Sequence, residues 1–389
     1  MSSNRFVYFR KMTLNKIIIL LLSITFIISC QEDETIVLDE VIPEAPKNYS
    51  LEFDFSNEYP IGHDLGLNFF NDITVGVISY TANEVQLITA ANTSSYILSG
   101  NSISDLTESS QVAAPEPNTF YKNYVGLGQL IIDPQGIMYS VFHAEEHDGS
   151  ILPGNIPGFY ASIGLGISND NGVSFELNAQ PIIQNIYDIN YDNGAGDGGL
   201  GEPSITYSKD STEVYVYYVD HNRTGRGVNI CMVKFNVKVD GSPDFSTCYY
   251  LDNNNTFTSS VIRSQEVVAG LGYADAIFPH VTYNAFIDKY IMVYSLNHYG
   301  EFTSGVDTPV ESGIYYRLSD DGLSWSEPAK KILTGWSIPF SYDSHSYLWH
   351  PNLIYSQQDQ SKGHLVYSKA ANLQEGHKMW AIEFQFIEN

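Results

Sequence analysis

Two features of the sequence predict an all-β fold built from repeated four-stranded sheets. The first is a hairpin repeat of roughly 75 residues. Residues 202–221 (EPSITYSKDSTEVYVYYVDH), 279–298 (PHVTYNAFIDKYIMVYSLNH) and 351–370 (PNLIYSQQDQSKGHLVYSKA) share a proline, an apolar residue two on and a tyrosine four on. These are Pro203/Ile205/Tyr207, Pro279/Val281/Tyr283 and Pro351/Leu353/Tyr355. Each copy then passes through a polar stretch into a second run rich in β-branched and aromatic residues, as a hairpin does. Residues 128–143 form a fourth copy without the proline. The second feature is the pattern D-x-G-x-S-aromatic, at Asp170–Phe175 and again at Asp320–Trp325. Glycine takes the positive φ of a tight turn, Asp and Ser bond the turn's own backbone, and the aromatic fills the gap between adjacent sheets.

Four antiparallel strands per repeat make the blade of a β-propeller. First strands are expected to begin near 73, 129, 203, 280 and 351, which gives five blades. Six blades is the competing architecture, but no sixth repeat is found. The last repeat supplies only a third strand, at 379–387. The segment Ser50–Ser56 alternates apolar with polar residues, so this N-terminal strand is expected to complete the last blade and close the ring.

Ahead of that strand lies an address. Arg5, Arg10, Lys11 and Lys16 precede the apolar run 17–28, which leads through Ser29 to Cys30, the order of a secretory signal. The ending Ile-Ile-Ser-Cys resembles a bacterial lipobox, and the following Gln31-Glu32-Asp33-Glu34 resembles the export tag of surface lipoproteins of the Bacteroidetes. The resemblance implies lipidation of Cys30, a membrane anchor at that residue and a place on the outer membrane. Residues 1–30 then form the signal peptide, 31–48 a flexible acidic tether, and 49–389 the folded domain. A single transmembrane anchor is the alternative, though the run is short for one. The chain carries 45 acidic against 19 basic residues, a formal charge of −26. Phosphate attraction needs a basic surface, so nucleic-acid and anionic-membrane binding are excluded as primary functions. Cys231 and Cys248 flank a turn at 240–243 and could face each other across a hairpin, as a disulfide or as two buried thiols.

The stretch His143-Ala-Glu145-Glu146-His147 fits the zinc-peptidase order H-x-x-E-H. That chemistry needs both imidazoles on one helical face. Here 137–142 read as a strand, and 143–147 as its end running into the turn 148–150, so the peptidase reading fails. The other repeats place a histidine at the same point, His221 and His298. In a propeller the end of the second strand and the start of the first share one face. That face is expected to gather His143, Glu145, Glu146, His147, Glu202, Asp220, His221, Asp275, His280, His298, Trp349 and His350, with Asp72 joining from the first blade.

Acidic residues around the axis of a five-bladed propeller resemble the arabinanase, xylosidase and fructosidase clans of glycoside hydrolases, over residues 50 to 389. Glu202-Pro203-Ser204 resembles the carboxylate that these families place before a proline. The D-x-G-x-S-aromatic turns resemble the Asp-box of sialidase-type blades. The glycosidase resemblance implies a carboxylic acid that protonates the leaving oxygen and a carboxylate that activates water. Glu202 and Asp275 are the expected pair, with Asp72 or Glu145 as a third, and no cofactor is needed. The first aspartate of the families' Asp, Asp, Glu set has no secure counterpart. A second chemistry stays open: a lyase acting on uronic-acid oligosaccharides. His143, His221, His280, His298 and His350 could then supply a base or hold a divalent metal, for which His143, His221 and His298 are the candidates. Tyr283 or Tyr299 would be the acid, and Arg223 or Arg226 would clamp the carboxylate. Sialidase activity is not expected, because the mature chain holds only Arg223, Arg226, Arg263 and Arg317. Glycan binding without catalysis, through Trp336, Trp349 and the tyrosines, is the third reading.

Overall fold

The computed structural model describes residues 48–68, 71–152, 156–187, 197–221, 228–268, 274–298, 312–325, 328–335, 347–356, 358–370 and 377–389. The expected signal peptide, Cys30, the tether, Arg223, Arg226, Tyr299 and Trp336 lie outside them, as do the side chains of Asp275 and His298. The described chain is strand after strand, with short 3₁₀ turns and no α-helix.

Two strands come first, β1 (Tyr49–Phe53) and β2 (Tyr59–Pro60). A first antiparallel unit follows: β3 (Gly76–Tyr80), β4 (Val85–Ala91), β5 (Ser94–Gly100) and β6 (Leu106–Ala113). The second holds β7 (Tyr124–Ile132), β8 (Met138–Leu152), β9 (Ile156–Ser168) and the short β10 (Glu176–Leu177). The third holds β11 (Asp197–Tyr207), β12 (Glu213–Asp220), β13 (Asn229–Val237) and β14 (Pro243–Leu251), with β15 (Phe257–Thr258) and β16 (Glu266–Val268) at its edge. The fourth holds β17 (Ala274–Asn284), β18 (Lys289–His298), β19 (Gly313–Ser319) and β20 (Lys330–Thr334). The fifth holds β21 (Tyr347–Ser356), β22 (Asp359–Ala370) and β23 (Lys378–Glu388). Its fourth strand is β1, antiparallel to β23 from Tyr49↔Glu388 to Phe53↔Phe384. The second and third units also join through a short parallel pairing of β9 with β11.

Both faces of the inner strands are buried, so alternate side chains serve different cores. Val214, Val216 and Tyr218 of β12 pack with Tyr139, Val141 and Ile163 of the second unit. Tyr215 and Tyr217, between them, pack with Val281, Tyr290 and Met292 of the fourth. Further clusters link fourth to fifth, fifth to first, and first to second. Each fully buried large side chain contributes about 1.5–3 kcal/mol. The first strands are also wired together by polar groups. Buried Gln129 donates to Val281 O at 2.7 Å and accepts from Ile205 N at 3.2 Å and from the Ser204 hydroxyl. Val75 N donates to Asn352 Oδ1 at 2.8 Å.

The structure revises several expectations. First strands start earlier than the proline repeat suggests, because each contains a bulge. Register shifts fall between Gly201 and Ser204, Ile277 and His280, and Trp349 and Asn352. Glu202, Phe278 and His350, each just before its proline, take φ of 51°, 56° and 44° there. Residues 143–147 do not end their strand, since β8 runs through them to Leu152, and Asp148–Ser150 forms a bulge within the hairpin. Cys231 and Cys248 are free thiols.

In the first aspartate turn the Asp170 carboxylate accepts Ser174 N at 3.0 Å and Ser174 Oγ at 2.6 Å, and Phe175 is buried. The second turn is one residue shorter. Asp321, not the expected Asp320, accepts Leu323 N and Ser324 N, each at 2.8 Å. Asp320 points outward to Lys289 with 84% of its side-chain surface open. Asp321→Ala is therefore expected to cost about 1–2 kcal/mol, as loss of a cap does, whereas Asp320→Ala stays within about 0.5 kcal/mol. Denaturant titration of the two variants checks this, and equal losses would return the turn to Asp320.

Candidate active site

The bulges aim side chains at one place. A bulge re-directs its residue out of the pleat, and a non-glycine residue at positive φ persists only where its surroundings hold it. Glu202 and His350 both sit at such positions, and His350 Nδ1 lies 3.7 Å from Glu202 Oε2. The other side of the same ring, Nε2, lies 3.8 Å from Asp72 Oδ1. Asp72, in the loop leading to β3, also has His377 Nε2 at 3.5 Å. Opposite, His143 Nδ1 lies 3.9 Å from Glu202 Oε1 and accepts the Glu202 backbone N–H at 3.1 Å. His143 Nε2 then donates to Glu145 Oε1 at 3.1 Å, and Glu145 Oε2 pairs with His147 Nε2 at 2.7 Å. Three carboxylates thus alternate with imidazoles, drawn from the first, second, third and fifth units. Phe278, at the bulge of the fourth, packs on His350 with centroids 4.1 Å apart.

Electrostatics separates the three acids. Burial pushes the Glu202 carboxyl up to about 7, against the pull of His143 and His221. Its Oε2, like His350 Nδ1, has no hydrogen-bond partner among the described residues. Glu145 goes the other way: burial opposes its charge, but the bonds from His143 and His147 prevail and hold it at about 2. Burial raises the Asp72 carboxyl, opposed by His377. Asp72 keeps 26% of its side-chain surface open, against 11% for Glu202. Burial keeps the His350 imidazole neutral. For His143, burial disfavours the imidazolium, but Glu202, Glu145 and Asp72 outweigh it and lift the ring to about 9. The Glu202 N–H stands against that second proton, because it needs the Nδ1 lone pair. The ring seen here is accordingly the neutral Nε2–H tautomer. Gly201 makes the approach feasible, since a Cβ there would lie 2.7 Å from His143 Nδ1.

Other expected site residues fall elsewhere. His280 is buried one step deeper along β17, accepts Leu353 N at 3.4 Å and is pushed down to about 3 by burial; it ties two units together rather than joining the carboxylates. Tyr283 lies at the opposite end of β17, its hydroxyl bonded to Asp288 in the hairpin turn. His221 and Asp220 stand at the same end as the cluster, with the His221 ring against Phe159 and Asp220 bonded to Arg263 Nε at 2.6 Å. Trp349 meets His377 edge to face, with centroids 4.6 Å apart. The backbone of Asp275 pairs with that of Asn297 at this same end. Among the described residues no group of three or more His, Cys, Asp or Glu is placed to hold a metal ion. Sequence reasoning missed His377 altogether, because it precedes a third strand, outside the hairpin repeat.

No protein-family model matches the chain, and no curated protein does. Solved structures do. A complex of BT0996 with RGII is 13% identical with a TM-score of 0.51, covering 85% of this chain and 91% of that one. An α-L-arabinofuranosidase from Lactobacillus brevis is 10% identical with a TM-score of 0.50, covering 80% and 90%. A thermostable family-43 glycoside hydrolase is 13% identical with a TM-score of 0.46, covering 81% and 91%. At these identities the likeness is one of fold, and the fold is the β-propeller type found among glycoside hydrolases.

The Glu202 shift fixes a pH dependence. The ordinary glutamate value is 4.5 and the folded one about 7, so the native state holds the extra proton between them. The stability this group contributes is complete below 4.5 and is lost as pH rises through about 7. Glu202→Gln removes that titration. Its melting temperature, relative to wild type, should therefore rise from about pH 5 to about pH 8, and a constant difference would show that Glu202 titrates normally.

Proposed function

We propose that the protein is a glycoside hydrolase on a five-bladed propeller, with Glu202 as general acid. One arrangement carries the reading: a buried carboxyl protonated toward neutral pH, flanked by two imidazoles, with a further carboxylate beyond each. Five four-stranded units whose cores succeed one another and return to the first support the blade count, and the β1–β23 pairing supports ring closure.

Glu202 donates its proton to the glycosidic oxygen as the bond breaks. Asp72, across His350, takes a proton from the attacking water. Contacts of 3.7 and 3.8 Å on either side of one imidazole fit a wide separation of acid and base. Inverting enzymes use such a spacing, roughly 6.5–9.5 Å, to admit the water. Glu145, held ionised by His143 and His147, is a fixed negative charge that supports the oxocarbenium-like transition state and helps keep the Glu202 proton in place. The side chain of Asp275, the expected partner, lies outside the described residues, and Asp72 is the carboxylate that the described geometry sets across His350 from Glu202. The substrate is an oligosaccharide or polysaccharide. The sequence of residues 1–34 supports export and a lipid anchor at Cys30 on the outer membrane.

A glycan panel that includes α-L-arabinofuranosides and RGII oligosaccharides, with product analysis, tests this. Glu202→Gln should lower turnover about 10²–10⁴-fold and Asp72→Asn by a similar factor, with the fold intact. Aryl glycosides with acidic leaving groups should restore Glu202→Gln but not Asp72→Asn, because they need no proton on departure. Unsaturated, UV-absorbing products would mark elimination and overturn hydrolysis.

A further inference from the structure

Tyr124, the first residue of β7, reaches both halves of the carboxylate centre. Its hydroxyl donates to the backbone oxygen of Asp72 at 2.6 Å. Its ring stands edge-on to the imidazole of His143, with centroids 5.4 Å apart and planes at 78°. That imidazole in turn accepts the Glu202 amide. The tyrosine side chain is buried, at 4% exposure, and offers no open surface to a sugar.

The local sequence prepares this reach. Gly126 follows two residues on, on the same side of the strand. A Cβ there would stand 2.7 Å from the Tyr124 ring and 2.9 Å from its hydroxyl, so glycine leaves the space that the phenol fills. Ile73 and Ala90 of the first unit pack with the ring. Burial and the carboxyls of Asp72, Glu145 and Glu202 push the phenol well above its ordinary value, so it keeps its proton and stays a donor.

The backbone of Asp72 is thereby held at both ends. Its N–H donates to Ala90 O at 3.1 Å, and its carbonyl takes the Tyr124 hydroxyl. The preceding Asn71 donates to Ile73 O at 2.9 Å and to His350 O at 3.3 Å. The carboxylate has looser neighbours, His350 at 3.8 Å and His377 at 3.5 Å. With its head loosely held, the place of this carboxylate is decided by its backbone. We infer that Tyr124 is a positioning residue for Asp72, whose hydroxyl fixes the point from which the base takes a proton from water. This rests on the reading of Asp72 as the base. Tyr124 touches no sugar, so its loss should appear in kcat and not in KM.

Steady-state kinetics of the full chain tests it. Tyr124→Phe removes one oxygen and keeps the ring on His143. Tyr217→Phe is the comparison, since that buried phenol donates to Gly322 O at 2.5 Å in the second aspartate turn, away from the carboxylates. Both variants should fold and melt a few degrees below wild type. Turnover is read on the oligosaccharide cleaved in the glycan panel and on its para-nitrophenyl glycoside, with α-L-arabinofuranosides tried first. Tyr124→Phe should lower kcat about 10–10²-fold on both substrates, with KM within about twofold of wild type. The acidic leaving group should not restore it, because the defect lies with the base. Tyr217→Phe should keep wild-type kcat on both. In an Asp72→Asn background Tyr124→Phe should cost less than about twofold more, because the two act as one unit. Wild-type kcat in Tyr124→Phe, or a loss that multiplies in full with that of Asp72→Asn, would overturn the inference and leave Asp72 as base. Wild-type turnover in Asp72→Asn would overturn the reading of Asp72 and the inference with it.

Discussion

The described fold depends on covering the inner strands of each sheet on both faces. A strand buried on one side alternates apolar with polar residues, but β12 reads Val-Tyr-Val-Tyr-Tyr-Val because neighbours flank it on both sides. Large rings suit such a double burial. Tyr217, Tyr218, Tyr290, Tyr294 and Tyr367 fill space between sheets, and hydroxyls such as that of Tyr217 reach a backbone carbonyl on the next unit. With faces consumed by packing, polar chemistry is left to strand ends and to the first strands, where the units meet.

At those first strands the protein accepts backbone strain where side chains converge. Three non-glycine residues at positive φ, each before a proline, cost about 1–3 kcal/mol apiece. Proline fixes its own φ and removes an N–H, so a bulge forms where pairing would be poor in any case. The three side chains so released differ in kind. Glu202 and His350 supply a carboxyl and an imidazole, while Phe278 supplies an apolar wall against the His350 ring. One backbone device, used three times, places the Glu202, Phe278 and His350 side chains of the candidate site.

That device explains what could be read in the sequence. The Pro-x-apolar-x-Tyr spacing locates the hairpins and, with them, Glu202 and His350 one residue before each proline. The histidine after Phe142 is found because it ends the same hairpin pattern. Asp72 is weakly signalled, since its strand lacks the proline, and His377 is invisible because only the return of β23 brings it to Asp72. His280 and Tyr283 sit inside the repeat, yet position along a strand decides the end at which a side chain emerges. Asp320 and Asp321 are indistinguishable by pattern, and the length of the turn chooses between them.

The alternation of carboxylates and imidazoles has a further consequence. Glu145 anchors the Nε2–H of His143, so Nδ1 is left to accept the Glu202 amide, and that amide belongs to the strained residue itself. The placement of Glu202 therefore depends on the tautomer of His143 that carries its proton on Nε2. A second proton on the ring would set N–H against N–H and release the bulge. Glu145 serves Glu202 twice, as a nearby negative charge that favours the protonated acid and as the anchor of the tautomer that holds the acid's backbone. Gly201 is the structural condition for both, because any side chain there would occupy the space of the imidazole.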